Sequence, residues 1–162
     1  MSGSIMERGI EAANRLIANG ITPLSLEHGI RKASELLDRS ELAMVGSVRD
    51  DGYPNIKSMF KIKSENLRHV WFSTNTSSKR VAQFKKDPKA CVYVLDAQVF
   101  AGLMLTGTME PVFDAEIRQR LWHTGWEAYY PQGVSDPDYC ILKFTAKEGN
   151  FYQGLQNVCF QL

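Results

Sequence analysis

Val70-Trp71-Phe72-Ser73-Thr74-Asn75-Thr76-Ser77-Ser78-Lys79-Arg80-Val81-Ala82-Gln83-Phe84-Lys85-Lys86-Asp87-Pro88 opens on an aromatic, β-branched run and passes through hydroxyl and amide side chains to an apolar pair, Val81 and Phe84. This is the pattern of a strand that ends where a helix begins. Such a junction leaves backbone N–H groups without partners at the positive end of the helix dipole, and Lys79 and Arg80 add full charges beside them. A small anion, a phosphate above all, suits that place. A Ser or Thr before a helix also serves as a plain N-cap, and a Lys-Arg pair in a first turn is commonly solvated. Local chemistry alone leaves both readings open.

Outward from this stretch the pattern is mostly β. Leu42 to Arg49 reads as a strand, Asp50-Asp51-Gly52 as a hairpin turn in which glycine supplies a positive φ, and Pro54 to Lys63 as the return strand. In that strand Ile56, Ser58, Phe60 and Ile62 share one face, and Lys57, Met59, Lys61 and Lys63 the other. The lysine face reads either as the wet side of the sheet or as a phosphate wall. Arg68 to Ser73 is the third strand and Lys89 to Asp96 the fourth. Val99 to Val112 is the fifth, with Gly107 as a bulge or kink, and Tyr139 to Thr145 the sixth. Asp114 caps a short helix. The tail from Gly149 keeps Phe151, Tyr152, Val158 and Phe160, more apolar surface than a disordered end carries.

Two helices precede the sheet. One runs from Ser4 to Asn19 and stops at Gly20; the other follows Pro23, is capped by Ser25, and repeats Leu26, Ile30, Ala33 and Leu37 at helical spacing. The chain therefore reads as one domain, with residues 1–40 as helices packed on a barrel and residues 41–162 as the barrel. The fold class is mainly β with α (α+β), a six-stranded antiparallel barrel with flanking helices. Alternating βαβ units, which a doubly wound fold requires, are missing.

Composition narrows the partners. Of 162 residues 44% are hydrophobic and 23% charged, as in ordinary globular proteins, and a net charge of +1 gives no reason to expect nucleic acid. No apolar run approaches a membrane span, and the start, Met1-Ser2-Gly3-Ser4-Ile5-Met6-Glu7, has no basic-then-apolar leader, so a cytoplasmic location is expected. Three widely spaced cysteines, Cys91, Cys140 and Cys159, form neither a disulfide framework nor a zinc motif, and His28, His69 and His123 lack ligand spacing. No metal and no catalytic acid, base or nucleophile is expected. Trp122, Trp126, Tyr129 and Tyr130 read as core or interface aromatics rather than site residues.

Four pieces in fixed order give the chain a likeness. They are Asp51-Gly52-Tyr53-Pro54, Lys57-x-Met59, the Phe72-Ser73-Thr74-Asn75-x-x-Ser78-Lys79-Arg80 junction with Asp87-Pro88 behind it, and Leu121-Trp122 followed by Tyr130-Pro131-x-Gly133 and Asp136-Pro137-Asp138-Tyr139. From Glu41 to Tyr152 the chain resembles the split β-barrel flavoproteins of the pyridoxamine 5′-phosphate oxidase superfamily, and within it the branch related to general stress protein 26. The resemblance implies FMN held at a homodimer interface. Carried over position by position, it implies that Lys57, Ser78, Lys79 and Arg80 grip the phosphate, that Ser73 and Thr74 contact the flavin, and that the strand around Ser58 and Met59 runs along the ring. A flat apolar ring also calls for an apolar slot, of which Met59 and Phe60 would form one wall. The resemblance also implies a redox protein in which the flavin carries the electrons. The alternatives are a non-catalytic module that binds flavin, deazaflavin or haem, and a dimeric interaction domain with a merely solvated lysine face.

Three departures from the family pattern matter. No arginine follows Arg120, so the terminal arginine that holds substrate in pyridoxamine phosphate oxidases proper is missing, which argues against that reaction. The flavin-facing glutamine of the fifth strand falls near Gly102. Lys57 and Lys79 stand where arginine is common, keeping charge but not the forked geometry.

Overall fold

A computed structural model describes residues 4–20 and 22–162. The expected N-terminal region 1–40 includes residues 1–3 and 21, which lie outside the described residues. The elements are α1 (Ile5–Ala18), α2 (Leu26–Arg39), β1 (Leu42–Val48), β2 (Pro54–Glu65), β3 (His69–Asn75), α3 (Lys79–Lys86), β4 (Lys89–Asp96), β5 (Ala101–Val112), α4 (Ala115–Arg120), β6 (Tyr139–Gln153) and β7 (Gln156–Gln161). The strand order is β3-β2-β1-β4-β5-β6-β7, every pairing given for it is antiparallel, and β3 also pairs with β6. That last pairing closes the six expected strands into a barrel. The tail adds a seventh strand, because Gly154-Leu155 turns the chain back and Phe160 packs into the core.

Closure depends on local chemistry at the corners. Gly52 adopts φ +83° in the β1–β2 turn, with its N–H donating to the Arg49 carbonyl at 2.9 Å, as its place in Asp50-Asp51-Gly52 predicts. The β2–β3 turn is less orthodox. Asn66 and Leu67 both take positive φ, and Leu67 tolerates it because its side chain is buried in the core. At Gly107 the β5–β6 register slips, and a Cβ there would lie 2.1 Å from the Thr145 carbonyl oxygen, so glycine is required for the strands to approach.

The core inside the barrel is built from alternate residues of each strand, among them Val45, Phe72, Leu103, Leu105, Phe144 and Phe151. Helix α2 covers one side with Ala33, Leu36 and Leu37, and its Gly29 lets Val158 of β7 approach. Helix α1 buries none of its residues, unlike α2. A second cluster joins Trp71, Leu121, Tyr130, Tyr139 and Ile141, with Trp122 and Trp126 packed against it. Trp122 meets Tyr139 edge-on at 5.1 Å, so these aromatics are structural, while Tyr129 faces solvent.

Strand β2 corrects one expectation. Its apolar face, Ile56 and Phe60, points outward, 62% and 74% exposed, whereas the lysine face carries Met59 into the core. The lysines escape burial near its ends: Lys61 is half-buried and donates to the Asp38 carbonyl, and Lys63 pairs with Glu65 past a slip in register. Met59 and Phe60 therefore cannot form one wall.

Candidate functional site: an anion cradle between β2 and α3

Strand β3 delivers Ser73 and Thr74 to the mouth of the barrel, and the chain turns at once into α3. Ser78 is the N-cap, its hydroxyl accepting from the Val81 N–H at 3.4 Å. Thr74, buried to 8% exposure, sets its hydroxyl 3.5 Å from that of Ser78. The same turn is tied down by Asp138, just before the neighbouring strand β6. Its carboxylate accepts from the Asn75 side-chain amide at 2.7 Å, the Ser77 N–H at 2.8 Å and the Ser77 hydroxyl at 3.1 Å, while its carbonyl accepts from the Thr76 N–H at 2.7 Å. The Asn75 amide first, then the two Ser77 donors, hold the Asp138 carboxyl below the ordinary carboxylate range.

Arg80 decides the character of the place. Its side chain is half-buried between α3 and β2, and one guanidinium nitrogen lies 2.8 Å from the Met59 sulfur. Among the described residues it forms no ion pair, and its Nε is buried without a hydrogen-bond partner. Burial lowers its pKa from the ordinary value. A cation kept partly out of water with no counter-charge is costly, and an anion supplied from outside relieves it. Gln83, three residues on, faces β1 and β2, where its side-chain carbonyl accepts from the Ser47 hydroxyl at 2.8 Å and from the Asn55 amide at 3.4 Å.

The eight sequence-derived residues divide as follows. Thr74 and Ser78 meet, Arg80 meets Met59, and Ser73 lies half-buried one residue before Thr74 on β3. Lys57 stands on the face of β2 that carries Asn55 and Met59, exposed and, like Lys79, without an ion pair among the described residues. Ser58 points the other way, outward, opposite Met44. Sequence reasoning gave no role to Asp138, Gln83 or Asn55. Gln83 carried a signal in its i+3 spacing from Arg80, and Asp138 in the turn-forming habit of an Asp-Pro-Asp run. At Gly102 a Cβ would lie 2.6 Å from both the Tyr93 hydroxyl and the Tyr152 ring, whose hydroxyls are 2.7 Å apart. The tyrosine pair thus takes the space of a side chain at 102.

Residues 28–161 match the family described as "Pyridoxamine 5'-phosphate oxidase like". The chain belongs to the pyridoxamine 5′-phosphate oxidase-like family. A solved structure from Clostridium acetobutylicum, titled a protein related to general stress protein 26 of B. subtilis (pyridoxinephosphate oxidase family), is 45% identical, with 84% of this chain and 96% of that one covered at a TM-score of 0.77. General stress protein 26 from Bacillus anthracis Sterne shares the fold at 16% identity, covering 83% and 99% of the two chains with a TM-score of 0.69. A heme binding protein from Mycobacterium smegmatis does so at 12% identity, covering 82% and 57% with a TM-score of 0.67. No curated protein matches the chain. The family match begins inside α2 and leaves α1 outside it. Among the described residues no group of three or more His, Cys, Asp or Glu is placed to hold a metal, and no helix is long and apolar enough to cross a membrane.

Proposed function

We propose that this pyridoxamine 5′-phosphate oxidase-like protein binds FMN and serves as a flavin-dependent oxidoreductase, with the phosphate seated in the cradle of Ser78, Lys79, Arg80 and Lys57. The observation that carries the reading is Arg80: a half-buried guanidinium with no counter-ion, a buried unpartnered Nε, and two hydroxyls close by on the same turn. A phosphate fits this donor set, since it accepts several charge-assisted hydrogen bonds at once and its charge offsets the burial of Arg80. A neutral ligand would leave that burial uncompensated.

Each residue then has a definable task. Ser78 and the first N–H groups of α3 bind and orient the phosphate along the helix axis. Arg80 contributes a fork of donors from the buried side, and Lys57 and Lys79 screen the charge from the solvent side. Asp138 keeps the turn in shape through Asn75 and Ser77. The redox chemistry itself belongs to the flavin ring, and the chain supplies placement and exclusion of water. Pyridoxamine phosphate oxidation proper is not proposed, because no arginine follows Arg120 to hold that substrate.

A second copy of the chain completes the site in this reading. Leu42, Met44, Ile56, Phe60, Leu95 and Met104 are exposed on the outer surface of four neighbouring strands, and the registers Leu42↔Phe60, Met44↔Tyr93 and Tyr93↔Met104 place them side by side. An apolar surface of that kind belongs to an interface, and a two-fold contact is the simplest.

The test is the absorption spectrum and mass spectrum of what co-purifies with the chain, followed by titration with FMN. Flavin bands and saturable binding are expected. A haem band in place of them, or no flavin and no saturable binding, would remove the proposal.

A further inference from the structure

Asp136 is the one carboxylate or cationic side chain that is buried among the described residues, at 6% exposure, and it forms no ion pair there. A buried carboxylate without a counter-charge is unfavourable unless hydrogen bonds replace its water. Here they come from both sides. One carboxylate oxygen accepts from the Asp138 N–H at 2.9 Å and the other from the Gln132 N–H at 3.1 Å. The backbone of the same residue is fixed as well, its N–H donating to the Gly133 carbonyl at 3.0 Å and its carbonyl accepting from the Tyr139 N–H at 3.1 Å. A turn by itself needs only an exposed Asp or Asn.

Arg118 of α4 reaches Asp136 from outside the turn. Its Nη2 donates to the Asp136 carbonyl at 2.6 Å, and its guanidinium lies 5.1 Å over the Tyr139 ring, whose hydroxyl donates back to the Arg118 carbonyl at 3.3 Å. Its Nε is buried without a hydrogen-bond partner. From Asp136 the path runs on through Asp138, whose N–H rests on the Asp136 carboxylate while its own carboxylate takes the Asn75 amide and both Ser77 donors. Ser78, the N-cap of α3, follows directly. Arg118, Asp136 and Asp138 thus join α4 to the turn that bears the cradle.

We propose that Arg118 and Asp136 are positioning residues for the anion cradle: they hold Asp138 so that the 75–78 turn presents Ser78 and the first N–H groups of α3 to the phosphate. The inference rests on the reading of the cradle as a phosphate site. Loss of the Asp136 carboxylate frees the Asp138 N–H, and that freedom passes to Thr76 and Ser77, whose N–H groups both donate to Asp138. Loss of the Arg118 guanidinium frees the Asp136 backbone to the same effect.

The test has two readouts. Asp136→Asn leaves one acceptor oxygen for two N–H donors, Arg118→Met removes the donor to Asp136, and Arg118→Lys keeps one. Hydrogen exchange is followed in the ligand-free chain, and affinities for FMN and riboflavin are then measured. In Asp136→Asn and Arg118→Met, exchange at the Thr76 and Ser77 N–H groups should quicken at least about tenfold with β4 and β5 unchanged, and FMN affinity should fall at least about tenfold with riboflavin affinity unchanged. Arg118→Lys should recover most of both. Circular dichroism shows that the variants are folded, and the Arg118 pair carries the test if Asp136→Asn does not fold. Unchanged exchange at Thr76 and Ser77, or an unchanged ratio of FMN to riboflavin affinity in variants of a chain that prefers FMN, would overturn this inference alone. Faster exchange spread through β4 and β5, or equal losses for both flavins, would assign the pair to general stability and also overturn it. Equal affinities of the wild type for the two flavins would instead overturn the phosphate reading, and this inference with it.

Discussion

Replacing Arg80 with methionine separates the cost of the cradle from its use. The guanidinium is half-buried, pairs with no carboxylate among the described residues, and leaves Nε without a partner. Methionine fills similar volume beside Met59 and removes the unpaired charge. Because half of the group still reaches water, the relief is modest: the ligand-free variant should gain up to about 1 kcal/mol, or about 2–4 °C in melting temperature. Binding should move the other way. One or two charge-assisted hydrogen bonds to phosphate at about 1.5–3 kcal/mol each imply a loss of about 1.5–6 kcal/mol, roughly tenfold or more in Kd. Arg80→Lys, which keeps charge without the fork, should fall between. Urea unfolding of the ligand-free chain and calorimetric titration with FMN give the two numbers. Unchanged FMN affinity in Arg80→Met, or a ligand-free variant destabilised by more than about 1 kcal/mol, would show that Arg80 is a structural residue and refute the reasoning.

Three further outcomes follow from other parts of the structure. Gly107→Ala would press a methyl against the Thr145 carbonyl, so urea unfolding should report a loss of more than about 2 kcal/mol, where Gly9, a helical glycine with open space around its Cα and no positive φ, would tolerate the change far better. The Asp138 carboxyl is held below its ordinary value of 3.8, so its contribution is present above that pH and is lost as pH falls through the lower folded value; Asp138→Asn should flatten the acid limb of the stability curve there and weaken FMN binding by loosening the turn. Burial, and then the hydrogen bond to Tyr152, push Tyr93 up to about 12, so its stabilisation is present below the ordinary tyrosine value of 10.0 and is lost as pH rises toward 12. An ultraviolet tyrosinate titration should show Tyr93 ionising late, and Tyr93→Phe should remove that part of the alkaline dependence.

Much of the architecture could be read from short-range chemistry. Ser25, Ser78 and Asp114 cap the helices their positions announce, Gly52 makes the first hairpin, and Gly107 marks the slip between β5 and β6. What was hidden depends on long-range pairing. The seventh strand carries only weak alternation, and its place is set by β6, which runs on past Thr145 to Gln153. The orientation of β2 was hidden for a related reason. In a closed barrel with an apolar outer surface both faces hold apolar residues, so alternation alone does not say which one points inward. In the cradle the hydroxyls and cations were legible because they sit in one contiguous run. Asp138 acts on that run from more than sixty residues away, and Gln83 and Asn55 meet only because α3 folds back over β1, beside which β2 lies.

The central claim is that donors from β2 and from the start of α3 converge on one phosphoryl group, and the most direct measurement is the affinity of the purified chain for FMN against riboflavin, which differ only in that group. FMN should bind more tightly by about 2–5 kcal/mol, at least 30-fold, with the advantage shrinking as salt rises. Equal affinities for the two flavins would contradict the account.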